Sequence, residues 1–149
     1  MRDQTDPDSR SSERKLLDNE ILAASLERRR QQKFDAYQEF TRTTAIYPGV
    51  GLKDEQALVY CALGLTGEAG EVAEKLKKLI RDSGGLSALS QLSKETRESV
   101  AKELGDVMWY VARMADELGY SLAEVAKLNV SKLSSRKARG AIQGSGDNR

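Results

Sequence analysis

Residues 62–82, ALGLTGEAGEVAEKLKKLIRD, decide the fold of this chain, because their apolar positions recur with the period of an α-helix and set a pair of carboxylates beside the stripe. Turning about 100° per residue collects Leu58, Cys61, Ala62, Leu65, Ala69, Val72, Leu76, Leu79 and Ile80 on one arc, with Glu68 at its edge and Glu71 one turn further on. Residues 101–119, AKELGDVMWYVARMADELG, repeat the arrangement. Val100, Leu104, Val107, Met108, Val111, Met114 and Leu118 share an arc, with Glu103 at its edge and Asp106 just beyond. In both helices the acidic pair is turned from the apolar centre by roughly 110° in the same sense. Antiparallel packing through the two arcs therefore brings Glu68, Glu71, Glu103 and Asp106 to one edge of the seam. Crowded carboxylates repel and need a neutralising cation, and an all-oxygen set suits magnesium, with manganese as a substitute. Gly70 and Gly105, one inside each pair, are expected to allow close helix contact there.

A single Glu-x-x-Glu on a solvated helix would mean little in a chain of which 32% is charged. Two pairs with a matching offset carry more weight. The 149 residues, 39% hydrophobic, fit one domain with a modest core. The absence of His removes a Ser-His-Asp triad, a histidine-ligated zinc site and the Glu-x-x-His di-iron site from consideration. The single cysteine, Cys61, rules out an intramolecular disulfide and falls in the apolar arc, as a core thiol would. No apolar run approaches the length of a membrane span, and residues 1–15 lack the apolar core of an export signal, so a cytoplasmic protein with a flexible leader is expected.

Along the chain, helical patterning begins near Glu13 with an apolar stripe of Leu16, Leu17, Ile21, Leu22 and Leu26, which the mixed-charge segment Glu27 to Lys33 interrupts. Phe34, Tyr37, Phe40, Thr41 and Thr44 mark a helix that ends before Tyr47-Pro48-Gly49. The next helix stops at Ser83-Gly84-Gly85, followed by a connection over residues 83–95 with a short helical turn around Leu86 to Leu92. The third runs to about Leu118, capped by Gly119, and Ser121 with Glu124 forms a capping box for a last helix through about Leu133. The expected fold is an all-α bundle. Residues 1–33 are read as leader and helical arm, 34–135 as the catalytic bundle, and 136–149 as a basic, Gly-rich tail.

The last helix holds a second anomaly, since Asn129 shares a stripe with Leu122, Val125, Ala126 and Leu133, and Lys132 and Arg136 lie along the same face. Asn129 is either a hydrogen-bonded core amide or, with the two bases, a clamp on substrate. From Lys127 onward six Lys or Arg stand against one Asp, a local field able to attract a polyphosphate. A net charge of only +1 provides no broad face for duplex nucleic acid.

These segments, with FDAYQEFTRTTAIYP at 34–48, NVSKLSSRKARG at 129–140 and the GSGDNR ending, resemble the MazG-like nucleotide pyrophosphohydrolases of the all-α NTP pyrophosphatase superfamily. The resemblance covers roughly residues 34–149, and the stretch between its two acidic motifs is somewhat longer than the family pattern. It implies that the family's Glu-x-x-Glu and Glu-x-x-Asp metal site falls on Glu68, Glu71, Glu103 and Asp106. The implied reaction is hydrolysis of a nucleoside triphosphate to the monophosphate and pyrophosphate, with water attacking the α-phosphorus and Glu68 or Glu71 accepting its proton. Asn129 and Lys132 match an Asn-x-x-Lys feature that contacts substrate. Lys75 and Lys78 stand near enough to approach phosphates, although an i, i+4 pair with Glu71 is the simpler role for Lys75. Tyr110 is placed to stack on a base or to pack at the bundle edge, and Trp109, turned away from the arc, is expected at a subunit contact. The family also implies a dimer or tetramer. Two other readings stay open: a protein that binds a nucleotide or alarmone without hydrolysing it, and a helical interaction module.

Overall fold

A computed structural model describes residues 7–83 and 85–143. Among the described residues four helices form a bundle: α1 (Pro7–Thr43), α2 (Glu55–Asp82), α3 (Lys94–Glu117) and α4 (Leu122–Ala138), with a 3₁₀ turn over Leu86–Gln91 between α2 and α3. The described residues contain no strand. The chain is all-α, as its periodicity requires.

Helix α1 is already formed at Pro7, the first described residue, ahead of the patterning that begins near Glu13. It runs without a break through residues 27–33, since charge there removes the apolar stripe but not the helical propensity of Glu, Arg, Gln and Lys. Its first half stays apart from the bundle, leaving Leu16, Leu17, Ile21, Leu22 and Leu26 exposed. The second half is anchored by polar groups. Buried Gln38 donates to the Tyr120 carbonyl at 3.1 Å and accepts from the Leu122 N–H at 2.8 Å, tying α1 to the α3–α4 turn. Arg42 grips Asp116 of α3 with two bonds of 2.8 and 2.6 Å.

The most extensive contact is between α2 and α3. Asp54 caps α2 by accepting from the Ala57 N–H, and Ser93 caps α3 by accepting from the Thr96 N–H. The capping box of α4 forms as expected, with Ser121 and Glu124 exchanging bonds. Gly119 adopts φ +80°, the left-handed turn that ends α3 and lets the Tyr120 N–H return to the Ala115 carbonyl at 2.9 Å. Helix α4 continues past Leu133 to Ala138.

Among the described residues the buried apolar cluster is small: Tyr47, Ala57 and Cys61, with Ala45, Trp109 and Met114 packed against them, while Ala112, Ala115 and Leu122 are buried besides. Two expectations change here. Trp109 is half-buried rather than exposed: its indole N–H donates to Thr44 at 2.7 Å and its ring meets Tyr47 edge-on, because the α1–α2 loop folds over that side of α3. The apolar arcs are also only partly covered, with Leu104 and Met108 about half exposed. Between them, buried charge does structural work that periodicity did not reveal. Glu117, 2% exposed, accepts from the Tyr47 hydroxyl at 2.5 Å and from the Gly51 and Lys53 N–H groups at 2.8 and 3.0 Å, while the buried Arg113 lies 3.6 Å away. This carboxylate holds the loop that delivers α2 to α3. Arg113 and Glu117 stand at i and i+4 on α3, with Asp116 between them 2.9 Å from the same guanidinium, an acid–base spacing visible in the sequence.

Candidate metal centre

The site lies on the facing edges of α2 and α3. Carboxylate oxygens of Glu68, Glu103 and Asp106 fall within 4.8 Å of one another, the first two half-buried and the third exposed. Three of the four expected acids therefore converge in one chain. Glu71, a turn beyond Glu68, is exposed and stands outside that group. It remains within electrostatic reach: the Glu68 carboxyl is pushed above its ordinary range first by burial, then by the charges of Glu71, Asp106 and Glu103. A bound cation would relieve the repulsion among these like charges. Hard oxygen donors at this spacing fit magnesium or manganese.

The helices approach at a different glycine from those expected. A Cβ on Gly70 or Gly105 would meet nothing within 4 Å, so neither is needed for close contact. At Gly64 a Cβ would lie 2.1 Å from the Tyr110 ring. The contact lies six residues before Gly70 because the Tyr110 ring of α3 presses against α2 there, and only a residue without a side chain leaves room for it. Tyr110 thus packs at the helix seam, where burial first, then Tyr60, raises its pKa.

Lys75 also departs from expectation. Instead of pairing with Glu71 along its own helix, it crosses to α3, 3.0 Å from Glu103 and donating to the Ser99 hydroxyl at 2.8 Å. The α2–α3 seam is close enough there that the cross-helix pair gains a second hydrogen bond that the surface pair lacks. Lys78 lies 3.4 Å from Glu74. One residue near the cluster escaped the sequence reading: Tyr37 of α1 donates to the Gly105 carbonyl at 3.5 Å, and its pKa is raised by burial and then by the nearby Asp106 charge. Nothing in its spacing pointed there, since the approach of α1 to α3 is a tertiary fact.

Helix α4 packs against α1 and α3, and among the described residues its backbone does not come close to that of α2. Asn129 is exposed, which sets aside a buried core amide, and Lys132 is exposed beside it. Arg136 is 6% exposed, turned into the fold rather than along a solvated face. The ending 144–149 lies outside the described residues. Cys61 is buried, and burial foremost pushes its thiol pKa up, so it is a core residue rather than an activated nucleophile. No helix among the described residues is long and apolar enough to cross a membrane.

Comparison with known proteins agrees with this geometry. Residues 56–140, which span both acidic motifs and α4, match the model of the MazG nucleotide pyrophosphohydrolase domain. The "Gene 37 protein" of Mycobacterium phage L5 is 51% identical over 116 residues, covering 77% of this chain and 97% of that protein. No solved structure matches. With both carboxylate motifs inside the matched segment and facing each other across one helix seam, the chain belongs to the MazG nucleotide pyrophosphohydrolase family.

Proposed function

We propose that the protein hydrolyses nucleoside triphosphates, (d)NTP and water giving (d)NMP and pyrophosphate, at the α2–α3 edge. The observation that carries this reading is the convergence of Glu68, Glu103 and Asp106 oxygens on one point, within a chain of the MazG family. These three would hold magnesium, for which manganese can substitute. When bound, the metal would neutralise charge on the phosphate oxygens and lower the barrier to attack by water at the α-phosphorus. Glu71 stands outside the triad but within electrostatic reach of Glu68, and so is the group assigned to take the proton from the attacking water. Lys75 and Lys78 face the polyphosphate, and Tyr110 closes the wall between the helices. Asn129 and Lys132 position the sugar and phosphates.

Since the α4 backbone stays away from that of α2, the clamp residues reach the carboxylates across α3 or from a second copy of the chain. A homo-oligomer is supported by the exposed Leu63, Leu104 and Met108, apolar side chains at 69%, 49% and 50% exposure on the site-bearing helices. We place the enzyme in a reducing cytoplasm, in keeping with its single buried cysteine.

Incubation with Mg²⁺ and a panel of canonical and modified nucleotides, with monophosphate and pyrophosphate quantified, tests the reading. Stoichiometric release of both products is expected, and EDTA should stop it. Metal-dependent binding without pyrophosphate release would instead identify a nucleotide or alarmone sensor, and neither binding nor turnover would leave a helical interaction module.

A further inference from the structure

Lys75 sits between the acid cluster and an adjoining cavity. Its ammonium is 3.0 Å from Glu103 and 2.8 Å from Ser99, two residues one turn apart on α3, so it spans that turn with one bond to the cluster and one leading away. On the far side lies an open cavity of about 420 Å³ between the end of α2 and the start of α3, lined by Lys75, Lys78, Thr96 and Ser99 and also by the carboxylates of Asp82 and Glu95. The ammonium thus already occupies the role of a cation on one of the clustered carboxylates.

We propose that Lys75 is an exchangeable internal cation of this site. Without metal it offsets repulsion among Glu68, Glu103 and Asp106 and holds the α2–α3 edge together. A divalent cation brings twice the charge to the same oxygens and repels the ammonium. The flexible four-carbon stem lets it leave Glu103 while keeping Ser99, and it then faces the cavity, where it meets the polyphosphate. This inference rests on the metal-site reading above.

Titration of the full-length protein with MgCl₂ by calorimetry, without nucleotide, tests it. Lys75→Met keeps the stem but removes the competitor, so Mg²⁺ should bind at least about tenfold more tightly than to the wild type, a coulombic effect of the size expected for an ammonium a few ångströms away. Lys75→Arg should restore an affinity near that of the wild type. In chelator, Lys75→Met should melt at a lower temperature, and Mg²⁺ should raise its Tm by more than it raises that of the wild type. A bridge that merely held the helices would give the opposite sign: the variant would bind Mg²⁺ equally or less tightly, and either result overturns the proposal. Lys75→Gln, with the same expected sign, replaces the Met variant should that one fail to fold. In Mg²⁺-saturated protein, inorganic pyrophosphate should bind the wild type more tightly than Lys75→Met, and equal binding would overturn the move into the cavity. Absence of any Mg²⁺ binding to the wild type would sink the metal site itself, whereas wild-type binding with an unchanged variant sinks only the role of Lys75.

Discussion

In the function proposed above, Asp106 holds metal and Glu71 takes a proton, and single isosteric changes would distinguish both from structural roles. Asp106→Asn and Glu71→Gln should each lower turnover by about a hundredfold or more, as removal of a preorganised charge at a reacting phosphate does, with the helical circular dichroism unchanged. In chelator, Asp106→Asn should melt slightly higher than the wild type, because one of three crowded negative charges is gone. Full activity at saturating Mg²⁺ in either variant would remove that residue from the site. Asn129→Ala and Lys132→Ala should retain Mg²⁺ affinity and lose about 1–3 kcal/mol of transition-state stabilisation, read as a fall in kcat/KM. At this scale much of the site is legible from residue spacing, since i, i+3 pairs beside an apolar stripe must lie at a helix edge. Tyr37 was not, because its distance from Gly105 depends on how α1 crosses α3.

At the level of elements, the α2–α3 seam depends on Gly64 and on the loop that Glu117 holds. Gly64→Ala places a methyl 2.1 Å from the Tyr110 ring and forces the ring or a helix to move. It should cost about 1–3 kcal/mol in denaturant unfolding, and Tyr110→Leu should recover part of the loss. Glu117 makes stability depend on pH. Burial alone would raise its pKa, but bonds from the Gly51 N–H, the Tyr47 hydroxyl and the Lys53 N–H, together with Arg113, outweigh it and hold the carboxyl below its ordinary range. The folded state therefore binds the proton less readily than the unfolded chain. Its stabilising effect is fully present above the ordinary glutamate range and is lost as pH falls through the lowered folded value. Asp116, held down chiefly by the Arg42 hydrogen bond, adds to the same acid limb. Thermal melts from neutral pH to pH 3 should show this decline, and Glu117→Gln should flatten it while costing about 3 kcal/mol near neutrality. An unaltered acid limb in Glu117→Gln would mean that other carboxylates control it.

For the whole molecule, the first half of α1 projects an apolar surface that the bundle does not cover, while the acidic cluster lies wholly on α2 and α3. Deleting Met1 to Arg30 keeps Tyr37, Gln38, Thr41 and Arg42, so pyrophosphohydrolase activity should persist, while light scattering should report a smaller assembly. Loss of activity at unchanged mass would make the arm part of the active site. The chain by itself determined the all-α class, the capping box at Ser121, the Gly119 stop and the pairing of acidic motifs, because each is a consequence of helical period or backbone geometry within a few residues. Only the tertiary structure decided the rest. It selected Gly64 rather than Gly70 or Gly105 as the point of closest approach, drew Trp109 inward, took Lys75 across to Glu103 and left Glu71 outside the triad. Those outcomes follow from the rotation and offset of one helix against another, set jointly by Arg113, Glu117, Tyr47 and Gln38, whose partners lie far apart in the chain and leave no periodic trace in it.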